Sequence, residues 1–167
     1  NEVVGVVSGE SRDPGELWAF VKGYGDEVGG RVLGVPNNGN LSMGAMFALT
    51  TRDDGPFTRS YAETRARWEP LYEVTQIKGD GETHPILSPG DEFADYETWQ
   101  GSTPRDSIAQ KQAEYARSAL KLGLDQQAAL GANPFKFGMI GSTDAHTSLA
   151  AVDEDNFWGK VPLNEPS

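Results

Sequence analysis

The apolar positions fall into short runs separated by polar turns, and the runs alternate in period. Glu2-Val3-Val4-Gly5-Val6-Val7-Ser8 is a β-rich run with the length of a buried strand. Asp13-Pro14-Gly15-Glu16 follows, with the signature of a helix start: a capping aspartate, a proline at the first helical position and an early glutamate. This helix carries Leu17, Trp18, Phe20 and Val21 and is expected to stop in the glycines at 23 to 30. Arg31-Val32-Leu33-Gly34-Val35 reads as the next strand, ending at Pro36, so the opening is a strand–helix–strand unit.

Beyond it, Asn37-Asn38-Gly39-Asn40 is a polar turn, and residues 58–68 have a helical pattern. Leu71 to Lys78 reads as a strand with Leu71, Glu73, Thr75 and Ile77 on one face, and Gly79 to Pro89 as a long polar loop. Thr103-Pro104-Arg105-Asp106 opens a helix in which Ile108, Tyr115, Ala119 and Leu122 recur, with Gly123 as its expected end. A shorter helical piece runs on to Gly131. Asn133-Pro134 then breaks the chain before an apolar strand, Phe135 to Ile140, which leads into Gly141-Ser142-Thr143-Asp144-Ala145-His146. Trp18, Phe20, Tyr115 and Phe137 are expected in the core.

Alternating strands and helices indicate an α/β fold in a single domain spanning 1–167. Asn37–Asn40, Gly79–His84 and Ser142–His146 each follow an expected strand, so they are expected to converge on one face. A closed barrel needs about 200 residues or more. With four expected strands, either the sheet is open or the chain holds part of a larger fold.

Composition narrows the function classes. The net charge is -11 with no Lys/Arg cluster, which argues against a nucleic-acid partner. No apolar run approaches the roughly 20 residues that span a bilayer, so no membrane insertion is expected. Cysteine is absent, which removes disulfides, thiolate nucleophiles and cysteine-based zinc sites. No nucleophile elbow, phosphate-binding loop or dinucleotide fingerprint is present.

Asp144 and His146 carry the clearest chemistry. Residues two apart on a strand share a face, so a carboxylate and an imidazole project together, an oxygen-plus-nitrogen pair suited to zinc, manganese or iron. Glu73 is a carboxylate in a β-rich strand and needs a partner: it either points into such a site or pairs with Arg65 or Arg67. Glu82 and His84 belong either to a solvated loop or to substrate contact and proton transfer. Lys78 is either a surface lysine or the cation for a substrate anion. Asn38 and Asn40 either shape their turn or line the site.

Three segments carry a family resemblance: Val35-Pro36-Asn37-Asn38-Gly39-Asn40-Leu41-Ser42, Glu69 to Gly79, and Asn133 to His146. Glu82-Thr83-His84-Pro85, Asp91-Glu92-Phe93 and Glu154-Asp155-Asn156-Phe157 extend it. The chain resembles the bacterial family called domain of unknown function 3604, which looks like a branch of the polymerase-and-histidinol-phosphatase superfamily. The resemblance implies part of a distorted seven-stranded β/α barrel, of the TIM-like kind, with the chain as its C-terminal portion. It implies hydrolysis of phosphoester-like bonds in a small-molecule substrate, with divalent metal ions (Zn, Mn or Fe). Asp144 and His146 match the superfamily's final Asp-x-His ligand pair, and Asn37 stands where the family usually has a histidine ligand. An amide oxygen binds transition metals less well than imidazole. The early His-x-His has no counterpart in this chain. The alternative is therefore a degenerate or truncated homologue acting as a non-catalytic binding module. A periplasmic or exported location is the expectation for such hydrolases.

Overall fold

The computed structural model describes residues 13–53, 55–99, 107–146 and Asp155. Helix α1 (Pro14–Val28) forms as its cap predicts: Asp13 Oδ1 accepts from the Gly15 backbone N–H at 2.9 Å, and Pro14 occupies the first turn, where no N–H is required. Helix α2 (Arg59–Trp68) is capped by Thr58, whose hydroxyl accepts from the Tyr61 N–H. The two helices meet through Trp18 and Tyr61, with ring centroids 5.1 Å apart, and through a Trp18 Nε1 hydrogen bond to Glu69. The other Glu69 oxygen accepts from Arg65 at 2.9 Å, and Arg65 also donates to the Met46 carbonyl and lies over the Phe135 ring. This buried guanidinium is thus hydrogen-bonded, paired and stacked, the conditions under which a buried charge is tolerated.

Three strands form one mixed sheet in the order β2-β1-β3. Strand β1 (Leu71–Gln76) pairs antiparallel with the short β2 (Gly79–Asp80) and parallel with β3 (Gly138–Gly141). Between them in sequence come α3 (Ile108–Gln112) and α4 (Ala116–Leu130). One core cluster joins Phe47, Tyr72, Ala116, Ala119 and Phe135. Burying an aromatic of this size contributes about 1.5–3 kcal/mol. Ala116 and Ala119 bring α4 into this cluster, and three aromatic pairs around Phe47 pack within 5.2–5.7 Å. A smaller cluster holds Phe57, Ala62 and Ala132.

The fold corrects the barrel expectation. The described chain is a small α/β unit with an open three-stranded sheet, not a seven-stranded barrel. Residues 31–35 do not form a strand. That segment touches its neighbours at isolated points, where Gly34 N–H donates to the Trp68 carbonyl and the Pro36 carbonyl accepts from Glu73 N–H. Two isolated bonds make no ladder. The strand expected at 2–8 and the helix start at 103–106 lie outside the described residues.

Two further differences have local causes. The helix expected to run from Ile108 through Leu122 breaks at Ala113–Tyr115, and α4 then continues through Gly123 to Leu130. Gly123 serves packing: a Cβ there would lie 2.2 Å from Asn133 Oδ1. Gly131, at φ 75°, is the residue that ends the helix. In β1 a bulge between Glu73 and Thr75 interrupts the ladder to β3; before it, Tyr72 and Glu73, on opposite faces of the strand, are both buried. Of the expected core aromatics, Trp18 and Tyr115 are buried, and Phe20 and Phe137 partly so.

Candidate functional site

The parallel pairing of β1 and β3 brings their C-terminal ends side by side, and the chain after each carries the polar residues. Ser142 N–H donates to the Thr75 carbonyl at 3.0 Å, so the segment leading to Asp144 continues along β1 past the last ladder pair, Thr75 with Gly141. Asp144 then turns into the left-handed region at φ 54°. Its carboxylate forms an ion pair with the Lys78 ammonium, and both side chains are largely shielded, at 14% and 23% exposure.

Residues 37–42 close the other side. The Pro36 carbonyl bonded to Glu73 pins the entry to this segment beside β1. Asn38 is left-handed at φ 60° and caps a 3₁₀ turn over Gly39–Leu41. Asparagine tolerates this conformation better than most residues. Its Oδ1 accepts from Gln76 Nε2 at 2.8 Å, and the same nitrogen donates to Glu73 Oε2 at 3.1 Å. Asn40 is buried and its Nδ2 donates to the Lys78 carbonyl at 2.9 Å. Beneath them the Tyr72 hydroxyl accepts from Gly39 N–H at 3.2 Å, and burial raises this phenol above its ordinary range.

A chain of contacts therefore runs from Asn38 through Gln76 to Glu73, and from Asn40 through Lys78 to Asp144 and His146. Glu73, Asn38, Asn40, Lys78, Asp144 and His146 all take part, and Asn37 sits between Pro36 and Asn38 at the same place. Glu73 has neither Arg65 nor Arg67 as its partner. Arg65 pairs with Glu69, Arg67 lies over Trp68, and Glu73 meets the Gln76 amide instead. Gln76 was not foreseen from the sequence. Its signal is a neutral amide at the end of a strand, two residues before a lysine. Both protons of its Nε2 face acceptors, which fixes the amide orientation and leaves Oε1 buried with no partner.

Glu82 and His84 lie outside these contacts. Ile77–Lys78 form a tight reversal, after which Gly81 N–H donates to the Val74 carbonyl and the chain runs back along β1. The carbonyls of Gly81 and Glu82 accept from Ala116 and Arg117 N–H at the start of α4. The Glu82 carboxylate pairs with Arg117 at 2.6 Å, and the same guanidinium reaches Asp91 at 2.7 Å. The His84 ring lies 5.6 Å from that of Tyr115, and its Nδ1 accepts from Ile86 N–H. Of the three polar segments expected to converge, 37–40 and 142–146 are each joined to Lys78, whereas 81–84 is drawn toward α4.

The residues present fit a divalent metal poorly. Among the described residues no group of three or more histidine, aspartate or glutamate side chains is gathered for one. The Asp144 carboxylate is paired with an ammonium, and Glu73 with an amide. His146 Nδ1 lies 2.7 Å from the Asp144 backbone carbonyl, which only accepts, so Nδ1 carries the proton and Nε2 is the basic nitrogen of the neutral ring.

Among the described residues no helix is long and apolar enough to cross a membrane. No curated protein and no solved structure matches the chain. A family model described as "Protein of unknown function (DUF3604)" matches residues 1–167. The match covers the whole sequence, and the chain belongs to that family.

Proposed function

We propose that the chain forms the substrate-binding end of a hydrolase acting on a small phosphoester-like molecule. The observation that carries this reading is the convergence of Asn38, Asn40, Gln76, Lys78 and Asp144 at the C-terminal ends of two parallel strands, where ligands bind in open α/β sheets. Lys78 supplies a positive charge for an anionic group. Its backbone is held by Asn40, so the ammonium works from a fixed base. The amides of Asn38 and Gln76 hold each other and keep the adjoining loop in register. With Nδ1 turned to the Asp144 carbonyl, His146 Nε2 is the basic nitrogen of the neutral ring and is suited to moving a proton.

The resemblance to the polymerase-and-histidinol-phosphatase superfamily adds a divalent-metal requirement to this reading. The described residues do not assemble that centre. The pairing of Asp144 with Lys78 favours the second reading, a binding module without catalysis.

Hydrolysis of para-nitrophenyl phosphate, measured with and without added manganese or zinc, separates the two. A hydrolase releases nitrophenolate, and the rate falls at least about 100-fold in Lys78→Met, on the scale of removing one donor to the charge of the transition state. Saturable binding of glycerol 3-phosphate without turnover under any metal supports the binding module. Neither binding nor turnover rejects both.

A further inference from the structure

Strand β1 ends in a polar cluster with more acceptors than donors. Glu73 is 7% exposed, yet among the described residues no cation pairs with its carboxylate, which accepts from Gln76 Nε2 at 3.1 Å. A carboxylate has room for about four hydrogen bonds, and burial with one neutral donor leaves much of its lost hydration unreplaced. Gln76, 8% exposed, adds a second acceptor. Both protons of its Nε2 are committed, to Glu73 Oε2 and Asn38 Oδ1, and its Oε1 is buried with no donor among the described residues. Buried polar oxygens are seldom left in this condition. The cluster adjoins Lys78. Asn38, which holds the Gln76 amide, and Asn40, which holds the Lys78 carbonyl, flank Gly39 in one 3₁₀ turn. A cationic side chain and a group of hydrogen-bond acceptors therefore lie side by side at the end of β1.

We propose that Glu73 and Gln76 form a hydroxyl subsite: the ligand whose anionic group meets Lys78 carries alcohol groups that donate to the Glu73 carboxylate and to Gln76 Oε1. A hydroxyl supplies the donor that this cluster lacks. A hydrogen bond to a carboxylate is stronger than one between neutral groups, and a donor for a buried oxygen removes a cost that the free protein carries. The ligand class is therefore a phosphoester with a polyol or sugar portion. The inference rests on the reading of the site as one for a small phosphoester, and adds that Glu73 and Gln76 select the alcohol end of that molecule. It does not depend on whether the site performs hydrolysis.

The test compares two phosphate monoesters of similar size, glycerol 3-phosphate with its hydroxyls and propyl phosphate without them, in calorimetric titrations of the full chain. Glycerol 3-phosphate is expected to bind at least about tenfold more tightly, because a site that hydrogen-bonds a hydroxyl discriminates against the analogue lacking it. In Glu73→Gln the preference should fall toward equal binding, with the affinity for propyl phosphate kept. A Glu73 that only supports the fold would instead lower both affinities together, which overturns the subsite. Equal binding of the two esters by the wild type overturns it without any variant, so the test survives a Glu73→Gln that fails to fold, and the phosphoester reading then still stands. Tighter binding of 2-aminoethyl phosphate than of glycerol 3-phosphate assigns the cluster to an ammonium group and also overturns it. Binding of none of these esters overturns the subsite and the phosphoester reading together.

Discussion

The side-chain nitrogen of Gln76 donates to Asn38 Oδ1 at 2.8 Å, joining the end of β1 to a loop residue held at φ 60°. Asn38 thus combines a left-handed backbone with a bond to a buried amide. Asn38→Gly keeps the backbone and loses the bond, whereas Asn38→Ala loses the bond and adds left-handed strain of about 1 kcal/mol. Denaturant unfolding should rank the variants wild type, Gly, Ala in falling stability. An alanine variant as stable as the glycine variant would contradict the strain argument.

Gly39 is a stricter case. A Cβ at this position would come within 2.3 Å of the Tyr72 hydroxyl oxygen and 2.4 Å of the Glu114 carbonyl oxygen. Tyr72 is one of the most buried side chains and cannot yield without disturbing the main core cluster. Gly39→Ala is expected to destabilise the fold by about 2–3 kcal/mol, as overpacking does. A midpoint in thermal unfolding equal to that of wild type would show that the 37–42 loop does not sit against Tyr72 as described.

The Arg117 guanidinium donates to Asp91 and holds that carboxyl below its ordinary range, with a backbone bond from Phe93 as the second cause. A carboxylate with a lowered folded value adds stability above its unfolded value, and loses it as pH falls through the folded value. Arg117→Ala should therefore move the Asp91 titration, followed by carboxyl carbon NMR, upward toward that of a free aspartate. An unchanged Asp91 titration in the variant would remove Arg117 as the cause. The same variant releases Glu82, which tests whether this ion pair is what draws residues 81–84 toward α4.

The local elements were legible in the sequence where the signal was itself local. Asp13-Pro14 marks α1 because capping and proline geometry act within one turn; the strand expected from Leu71 to Lys78 forms over Leu71–Gln76, and the one expected from Phe135 to Ile140 forms only from Gly138 to Gly141. The assembly was less legible. Val32 to Val35 has strand composition, yet strand formation needs a neighbour in register, and the backbone bonds at Gly34 and Pro36 form no ladder. Gly123 and Gly131 look alike as helix terminators. Only the close approach of Asn133 to Gly123 and the left-handed φ at Gly131 tell them apart. Gly131→Ala should cost about 1 kcal/mol in unfolding free energy, and an unchanged stability would remove Gly131 as the left-handed cap.

The same division applies to the site. Asn38, Asn40, Glu73, Lys78, Asp144 and His146 stand out in the sequence by residue type and order, and the structure joins them in two sets of contacts at the end of β1, one through Gln76 and one through Lys78. Their pairing was not readable, because it depends on the β1 bulge and on the reversal at Ile77–Lys78. The bulge sets Glu73 and Gln76 on one face, and after the reversal Glu82 and His84 meet Arg117 and Tyr115 instead.

The most direct test of the proposed ligand site is a titration of glycerol 3-phosphate followed by backbone amide NMR shifts. The account predicts saturable shifts concentrated in residues 37–40, 76–78 and 142–146. Shifts confined to other segments, such as the groove lined by Trp18, Val35 and Met46, or no shifts at all, would contradict it.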